Sequence, residues 1–238
     1  MPTASAALVT GGTGALGRAV VRRFLADGLS VAVTYLVDAE WKNLAEAESE
    51  AQRAGFLHGV RADITDEESV GRAVEEVASK FGGLRVLAHL AGGYAGGADV
   101  ERVEAKTVRQ MLELNLISAF WAAKHVIPHA KRSGAGRLFF VSSRGAVECY
   151  PGAAAYAAAK LGLHALVQTL SKELKQSGVT ANAILPSVID TAANRAGSPN
   201  ADYSTWVPPA DIAALLSYLA GAGAQSVSGA LIPIYGRA

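Results

Sequence analysis

Short apolar runs alternate with longer amphipathic segments along the chain. The runs are rich in Val, Leu and Ile with little polar alternation, which is typical of parallel strands buried on both faces. Seven runs predict strands: Ala6–Thr10, Val31–Tyr35, Leu57–Ala62, Val86–Leu90, Arg137–Ser142, Thr180–Leu185 and Leu231–Ile234. Six segments predict helices: Ala15–Asp27, Ala39–Ala54, Glu67–Phe81, Ala105–Arg132, Ala154–Ser177 and Pro209–Ala220. The alternation predicts an α/β fold, a doubly wound seven-stranded parallel sheet with helices on both faces.

No linker rich in Pro or Ser and no run of charges divides the chain, so we expect residues 1–238 to form a single domain. The one long connection without clear periodicity spans residues 192–207. Connections of this length are usually functional loops, and we expect this one to be a substrate lid. Its Trp206 either packs the lid onto the substrate or anchors the loop, and the sequence leaves both open.

Charge and cysteine content exclude several classes of protein. Lys and Arg total 22 and Asp and Glu total 21, a net charge of +1, which argues against a nucleic-acid partner. A single cysteine rules out an internal disulfide framework and a cysteine-based zinc site, and favours a cytoplasmic protein. No apolar stretch is long enough to span a bilayer, and Met1–Ser5 lacks the basic start of a signal peptide.

His125 and His129 stand four residues apart on a predicted helix, a spacing that metal ligands use. No acid follows His125, and Pro128 lies between the two histidines. We therefore interpret the pair as part of a solvated helix face and expect no metal site.

A glycine-rich turn follows the first predicted strand directly and leads into a helix. It reads Gly11-Gly12-Thr13-Gly14-Ala15-Leu16-Gly17. Glycines allow the backbone to approach a pyrophosphate, and a helix N-terminus presents free N–H groups and a positive dipole. This order of strand, turn and helix predicts a dinucleotide-binding site.

Tyr156 and Lys160 are four residues apart on a predicted helix and share one face. An adjacent ammonium stabilises phenolate, so we expect Lys160 to lower the pKa of Tyr156 and to make it a proton donor and acceptor near neutral pH. Ser143 precedes Tyr156 by thirteen residues, at the end of a predicted strand, where open α/β sheets bind their ligands.

Asn115 is a polar residue inside an apolar helical stripe formed by Val108, Met111, Leu112, Ala119 and Ala122. A polar side chain on a buried face must find hydrogen-bond partners. Asn115 is therefore either a staple between helices or a site residue, and the neighbouring motifs favour the site.

Together these motifs resemble the short-chain dehydrogenase/reductase family over nearly the whole chain, from Ala6 to Gly236. The matching positions are Thr10-Gly11 to Gly17, Asp63-Ile64, Ala91-Gly92, Asn115, Ser143, Tyr156, Lys160 and the stretch from Pro186 to Thr191. The resemblance implies a single-domain Rossmann fold and NAD(P)-dependent hydride transfer between a nicotinamide and a small-molecule carbonyl or alcohol. It implies that Tyr156 exchanges a proton with the substrate oxygen, which Ser143 orients. It further implies that Lys160 binds the nicotinamide ribose and tunes the tyrosine, and that Asn115 holds a water in a proton relay.

The resemblance also implies a set of cofactor contacts and an assembly. The contacts are Gly11, Thr13, Gly14, Ala15, Leu16, Gly17, Tyr35, Asp63, Ile64, Ala91, Gly92, Tyr156, Lys160, Pro186, Val188 and Thr191. Family members often assemble through the helices that correspond to Ala105–Arg132 and Ala154–Ser177, whose apolar surface predicts a homo-oligomer, a tetramer or a dimer.

The sequence departs from the family pattern at a few positions. Ala15 stands in place of a glycine of the turn, Leu90 in place of an asparagine, and Tyr235 in place of an aspartate. At the end of the second strand, Tyr35 replaces the acid that NAD enzymes commonly use, and Arg18 and Lys42 are the available cations. The choice between NAD and NADP therefore stays open.

Two alternative functions remain. The segments 91–97 and 194–206 are similar to the corresponding parts of dihydropteridine reductases, which implies a pterin substrate as a second possibility. A non-catalytic, dinucleotide-sensing protein could use the same fold, but its expected signature is the loss of Tyr156 or Lys160, and both are present.

Overall fold

All seven predicted strands are present in the computed structural model, which describes residues 6–237. They are β1 (Ala6–Thr10), β2 (Ser30–Tyr35), β3 (Leu57–Arg61), β4 (Val86–His89), β5 (Arg137–Val141), β6 (Thr180–Pro186) and β7 (Leu231–Ile234). They form one sheet in the order β3-β2-β1-β4-β5-β6-β7, and every neighbouring pair is parallel. The predicted doubly wound sheet is confirmed. The segment Met1–Ser5, on which the expectation about a signal peptide rests, lies outside the described residues.

The helices differ more from prediction than the strands do. They are α1 (Ala15–Ala26), α2 (Asp38–Ala47), α3 (Ser49–Arg53), α4 (Glu67–Phe81), α5 (Ala105–Leu112), α6 (Ser118–Arg132), α7 (Arg144–Glu148), α8 (Ala154–Glu173), α9 (Ala192–Gly197) and α10 (Pro209–Ala220). The helix predicted over residues 39–54 is two helices that meet at Glu48. The helix predicted over 105–132 is interrupted by a π turn, Glu113–Ile117, and the one predicted over 154–177 ends at Glu173.

Apolar side chains cover both faces of the sheet and form two separate cores. On one face, Val20 and Phe24 of α1 pack with Leu216 of α10. On the other face, Val74 of α4 and Val167 of α8 belong to a core that includes α6. This two-sided burial explains why the strands are mostly apolar, with little alternation of polar residues.

The sheet changes winding direction between β1 and β4. These strands are neighbours, yet the chain leaves β1 toward β2 and leaves β4 toward β5. At such a point the connections diverge and leave a crevice at the carboxyl ends of the strands, where open α/β sheets bind ligands. The glycine turn after β1 and the loop after β4 border this crevice.

No helix within residues 6–237 combines the length and the apolar character that crossing a bilayer requires.

Candidate active site

The glycine turn is shaped by contacts within the protein itself. Gly11 has φ +68°, and a Cβ on it would lie 2.9 Å from the Cα of Ala91 in the loop after β4. A Cβ on Gly17 would lie 2.2 Å from the carbonyl oxygen of Gly11. Gly17 is therefore required where α1 packs on the turn, rather than only for the approach of a pyrophosphate. Gly14 precedes α1 in an extended conformation and makes no side-chain cap, so the first N–H groups of the helix point toward the crevice without a capping side chain.

A cavity of about 750 Å³ opens above this turn. Of the predicted cofactor residues, those that line it are Gly11, Thr13, Gly14, Ala15, Leu16, Gly17, Tyr35, Ile64, Ala91, Gly92 and Thr191. The cavity is also lined by residues that the sequence did not predict as cofactor contacts: Thr34, Leu36, Val37, Glu40, Ala62, Leu90, Leu114, Ala192 and Ala193. Several of these adjoin predicted contacts in the chain. Glu40 was not predicted because the acid was expected at the end of β2, at Tyr35, whereas Glu40 lies beyond it on the first turn of α2.

Other predicted cofactor residues do not line this cavity. Asp63 is exposed, and its Oδ1 accepts hydrogen bonds from the backbone and hydroxyl of Thr65, at 2.9 and 2.7 Å, so it shapes the turn after β3. Pro186 is buried at the end of β6, and Val188 is exposed beyond it. Tyr156 and Lys160 lie outside the lining as well.

Asn115 joins the loop after β4 to the long helix. Its Oδ1 accepts from the Gly93 backbone N–H at 3.1 Å, and its Nδ2 donates to the carbonyls of Gly93 and Met111, at 3.0 and 3.1 Å. The residue is 1% exposed and sits in the π turn, a feature often found at functional sites. Both hypotheses about Asn115 therefore hold, because its side chain links two elements of the fold and also lies at the site.

Lys160 is a buried cation next to Asn115. It is 5% exposed, and its Nζ donates to the carbonyl of Val141, at the end of β5, at 2.7 Å. Burial lowers the pKa of Lys160 to about 8. A Cβ on Gly92 would lie 2.8 Å from Oδ1 of Asn115 and 3.1 Å from Nζ of Lys160, so Gly92 fits between the two side chains.

Ser143 and Tyr156 meet beside this lysine. Ser143 caps α7, since its Oγ accepts from the Gly145 backbone N–H at 3.0 Å. Nζ of Lys160 lies 5.8 Å from the centre of the Tyr156 ring. The pKa of Tyr156 is nevertheless raised above 10, mainly by burial, while the Ser143 hydroxyl opposes this shift. The expectation that Lys160 lowers the pKa is wrong for this structure, because the phenol is desolvated and the ammonium is directed at Val141.

An aromatic side chain that the sequence analysis did not single out covers the tyrosine. The rings of Tyr94 and Tyr156 meet edge to face, with centroids 5.1 Å apart. Tyr94 is 66% exposed and follows Gly92-Gly93 in the loop after β4. It therefore stands between Tyr156 and solvent, where a substrate would approach.

A buried histidine lies behind the site and was also missed. His89, the last residue of β4, has Nδ1 2.9 Å from Oγ1 of Thr10 and Nε2 3.1 Å from Oγ of Ser118. It thereby links the strand before the glycine turn to the helix that carries Asn115. The signal in the sequence was a polar residue inside an otherwise apolar strand.

The segment 192–207 is more structured than its sequence pattern indicated. It contains α9, which the Thr191 hydroxyl caps by accepting from the Asn194 backbone N–H at 3.1 Å. Arg195 of α9 pairs with both carboxylate oxygens of Asp190, at 2.6 and 2.7 Å. Trp206 is 9% exposed and packs on Tyr203, with ring centroids 4.8 Å apart, which favours its role as a loop anchor.

The histidine pair on α6 is not a solvated face. His129 is buried, and its Nε2 lies 3.0 Å from a carboxylate oxygen of Glu75 on α4. That interpretation is therefore wrong for His129, since α4 packs against this side of α6. Within residues 6–237 no three metal-binding side chains of the His, Cys, Asp or Glu type come together.

Comparison with known proteins identifies the family. A family model described as short chain dehydrogenase matches residues 5–202. The chain belongs to this family.

Several relatives match nearly the whole chain. The 3-oxoacyl-[acyl-carrier-protein] reductase MabA of Mycobacterium tuberculosis is 32% identical over 237 residues, which cover 96% of this chain and 90% of that protein. The acetoacetyl-CoA reductase of Allochromatium vinosum is 30% identical over 244 residues, with 97% and 96% covered. A blue fluorescent protein from a metagenomic library, solved in complex with NADPH, superposes with a TM-score of 0.87 at 28% identity and covers 98% of this chain and 96% of its own.

The family membership and the site agree on the class of reaction. This short chain dehydrogenase is an NAD(P)-dependent oxidoreductase that interconverts carbonyl and alcohol groups. The residues present fit a dinucleotide, because the cavity combines a glycine turn, the open N-terminus of α1 and, beside it, a buried ammonium.

Proposed function

We propose that Asn115, Ser143, Tyr156 and Lys160 carry the proton chemistry of this oxidoreductase, with Asn115 also holding the loop after β4 through Gly93. The observation behind the proposal is the convergence of a desolvated phenol, a buried ammonium and a serine hydroxyl beside Gly92, a residue that lines the cofactor cavity. When bound, the dinucleotide supplies or accepts the hydride.

In the reducing direction the proton comes from the phenol. The raised pKa keeps Tyr156 protonated at neutral pH, so it is ready to donate to a carbonyl oxygen as carbon receives the hydride. The Ser143 hydroxyl donates a hydrogen bond to the same oxygen and orients it. The ammonium of Lys160, 5.8 Å from the centre of the ring, attracts the phenolate left behind, although burial still dominates the pKa of Tyr156. In the oxidising direction the same groups act in reverse.

The central test is Tyr156→Phe, assayed against a panel of carbonyl compounds. Turnover should fall by about two to four orders of magnitude, the range of general acid–base catalysis, while dinucleotide affinity and melting temperature stay near wild type. Tyr218→Phe is the matched control, because Tyr218 is exposed on α10, away from the cavity. Equal turnover of the Tyr156 variant and the wild type would refute the assignment.

The panel also addresses the identity of the substrate. It should contain 3-oxoacyl thioesters, because relatives act on them, and quinonoid dihydropterin. The ring of Tyr94 against Tyr156 offers an aromatic surface for a planar substrate such as a pterin, which supports this second candidate. A protein that binds dinucleotide but reduces or oxidises nothing in a broad panel would instead be a dinucleotide sensor.

The segment 192–207 is proposed as the substrate lid. Its first residues, Ala192 and Ala193, line the cofactor cavity, and Trp206 anchors its other end. A lid fixed at one end can close over a substrate and exclude water from the hydride path.

We also propose that the protein is a cytoplasmic homo-oligomer. Phe120 of α6 and Leu161 of α8 are 47% and 42% exposed, large apolar side chains on helices that already cover the sheet. Static light scattering should show a dimer or a tetramer at micromolar concentration, and a monomer would refute the assembly. The exposed free thiol of Cys149 fits a reducing compartment.

A further inference from the structure

The cofactor cavity has one end whose side chains have no role in the proposed proton chemistry. It is formed by the end of β2 and the start of α2, and its residues are Thr34, Tyr35, Leu36, Val37 and Glu40. In dinucleotide-binding folds, an acid some 20 residues after the glycine turn hydrogen-bonds the adenosine ribose, and a nearby Arg accommodates a 2′-phosphate. The groups at this end therefore determine which dinucleotide fits.

Glu40 is the one charged side chain among the cavity-lining residues of the described part of the chain, 6–237. It lies on the first turn of α2, where its backbone N–H donates to the carbonyl of Val37 at 3.0 Å. The side chains beside it, Leu36 and Val37, are apolar and half exposed, so they supply no hydrogen-bond donor for a phosphate.

The carboxylate of Glu40 is tied to the glycine turn. Thr13, inside that turn, donates from Oγ1 to Oε2 of Glu40 at 2.8 Å. This bond spans the cavity mouth between the turn and α2, and it leaves Oε1 available as an acceptor. The negative charge is thus held beside the glycine turn, at the end of the cavity formed by β2 and α2.

The cations nearest in sequence to Thr13 and Glu40, Arg18 and Lys42, do not line the cavity. Nε of Arg18 donates to the backbone carbonyl of Thr13 at 3.0 Å, so the guanidinium is bound to the turn from α1, and Arg18 is not part of the lining. Lys42 on α2 is exposed and does not line the cavity either.

We propose that Glu40, held by Thr13, makes this enzyme selective for NAD(H) over NADP(H). The carboxylate accepts a hydrogen bond from a ribose hydroxyl, and it repels a phosphate attached at the same place. The inference rests on the proposed dinucleotide-dependent function and adds the residue that selects the dinucleotide.

The test is a calorimetric titration of the dinucleotide-free full chain with NADH and with NADPH. Wild type should bind NADH at least about tenfold more tightly than NADPH, a difference of about 1.4 kcal/mol in binding free energy. In Glu40→Gln the ratio should shrink at least about fivefold, chiefly through tighter NADPH binding, because the repulsion is removed. Glu46→Gln is the matched control, since Glu46 is exposed on the same helix, lies outside the cavity and carries the same charge.

A second pair of probes isolates the ribose end. Adenosine 5′-monophosphate and adenosine 2′,5′-bisphosphate differ only by the 2′-phosphate. Wild type and Glu46→Gln should prefer the monophosphate, and this preference should shrink in Glu40→Gln, as for the dinucleotides. Added salt should narrow the ratio in wild type more than in Glu40→Gln, because screening weakens the repulsion. Glu40→Ala, checked by its melting temperature, replaces Glu40→Gln if the latter does not fold.

The outcomes separate the two proposals. Equal or tighter binding of NADPH by wild type, or the same ratio in the Glu40 and Glu46 variants, overturns the inference. Failure of both dinucleotides to bind overturns it together with the proposed function. NADH selectivity that depends on Glu40, combined with wild-type turnover of Tyr156→Phe, supports the inference and refutes the catalytic assignment alone.

Discussion

The buried histidine of β4 makes a quantitative prediction about acid stability. Ser118 donates its proton to the carbonyl of Leu114 at 2.7 Å, so its oxygen must accept from Nε2–H of His89. Nδ1 of His89 then accepts from the hydroxyl of Thr10. Both ring nitrogens are satisfied in the neutral form, and a second ring proton would displace the hydrogen bond from Thr10.

The size of the stability change follows from the shifted pKa of the His89 ring. Burial, followed by the charge of Lys160, lowers the pKa of His89 from 6.5 to about 3. Between these values the unfolded chain binds more protons than the folded one, so the free energy of unfolding falls as the pH drops. The loss approaches about 1.4 kcal/mol per pH unit, which amounts to about 2 kcal/mol between pH 6.5 and pH 5.

The assay is urea unfolding of wild type and His89→Gln at pH 7, 6 and 5. The variant should be about 1–3 kcal/mol less stable at pH 7, because its buried hydrogen bonds are disturbed. Its deficit should shrink by about 2 kcal/mol at pH 5, because only the wild type takes up a proton on His89 when unfolding exposes the ring. Ser118→Ala is the control, since it removes a partner of His89 and retains the titrating group. Parallel curves for wild type and His89→Gln from pH 7 to 5 would refute the reasoning.

Two further predictions concern the turn and the lid. Gly17→Ala should lower the free energy of unfolding by about 1–3 kcal/mol, because its Cβ would overlap the Gly11 carbonyl. Each kcal/mol corresponds to a fall of roughly 2–4 °C in Tm. The affinity for NADH should fall at least about tenfold. Gly223→Ala, whose Cβ meets nothing within 4 Å, should match wild type in calorimetry, and equal Tm values for all three proteins would contradict the packing argument. With Trp41 and Trp121 replaced by Phe, the emission of Trp206 should be that of a buried indole before any ligand is added. An emission maximum typical of exposed indole would show that Trp206 is not an anchor.

The sheet was predictable because its strands are buried on both faces. In β5 every residue is buried, and the four residues from Leu138 to Val141 are apolar, a pattern that is visible without any structure. The glycine turn was equally visible, since Gly11 requires a positive φ and Gly17 a close helix contact, and few residues other than glycine meet those demands.

The departures arise where tertiary contacts decide the outcome. The π turn around Asn115 is stabilised by side-chain bonds to backbone carbonyls, which leave no mark on the apolar periodicity. The six-residue helix α9 is too short for a periodic pattern, and a capping hydroxyl and an ion pair hold it. The pKa of Tyr156 depends on how far the fold desolvates the phenol, a property that the spacing to Lys160 does not contain.

The loop after β4 physically couples the cofactor cavity to the proton chemistry. Gly92 lines the cavity and also fills the narrow space between Asn115 and Lys160. Gly93 is held through both its N–H and its carbonyl by the amide of Asn115, so this loop cannot shift without disturbing the π turn. A group bound in the cavity therefore lies against the same loop that packs beside the ammonium of Lys160. This arrangement gives cofactor binding a direct route to the proton donor, and it requires glycine at position 92.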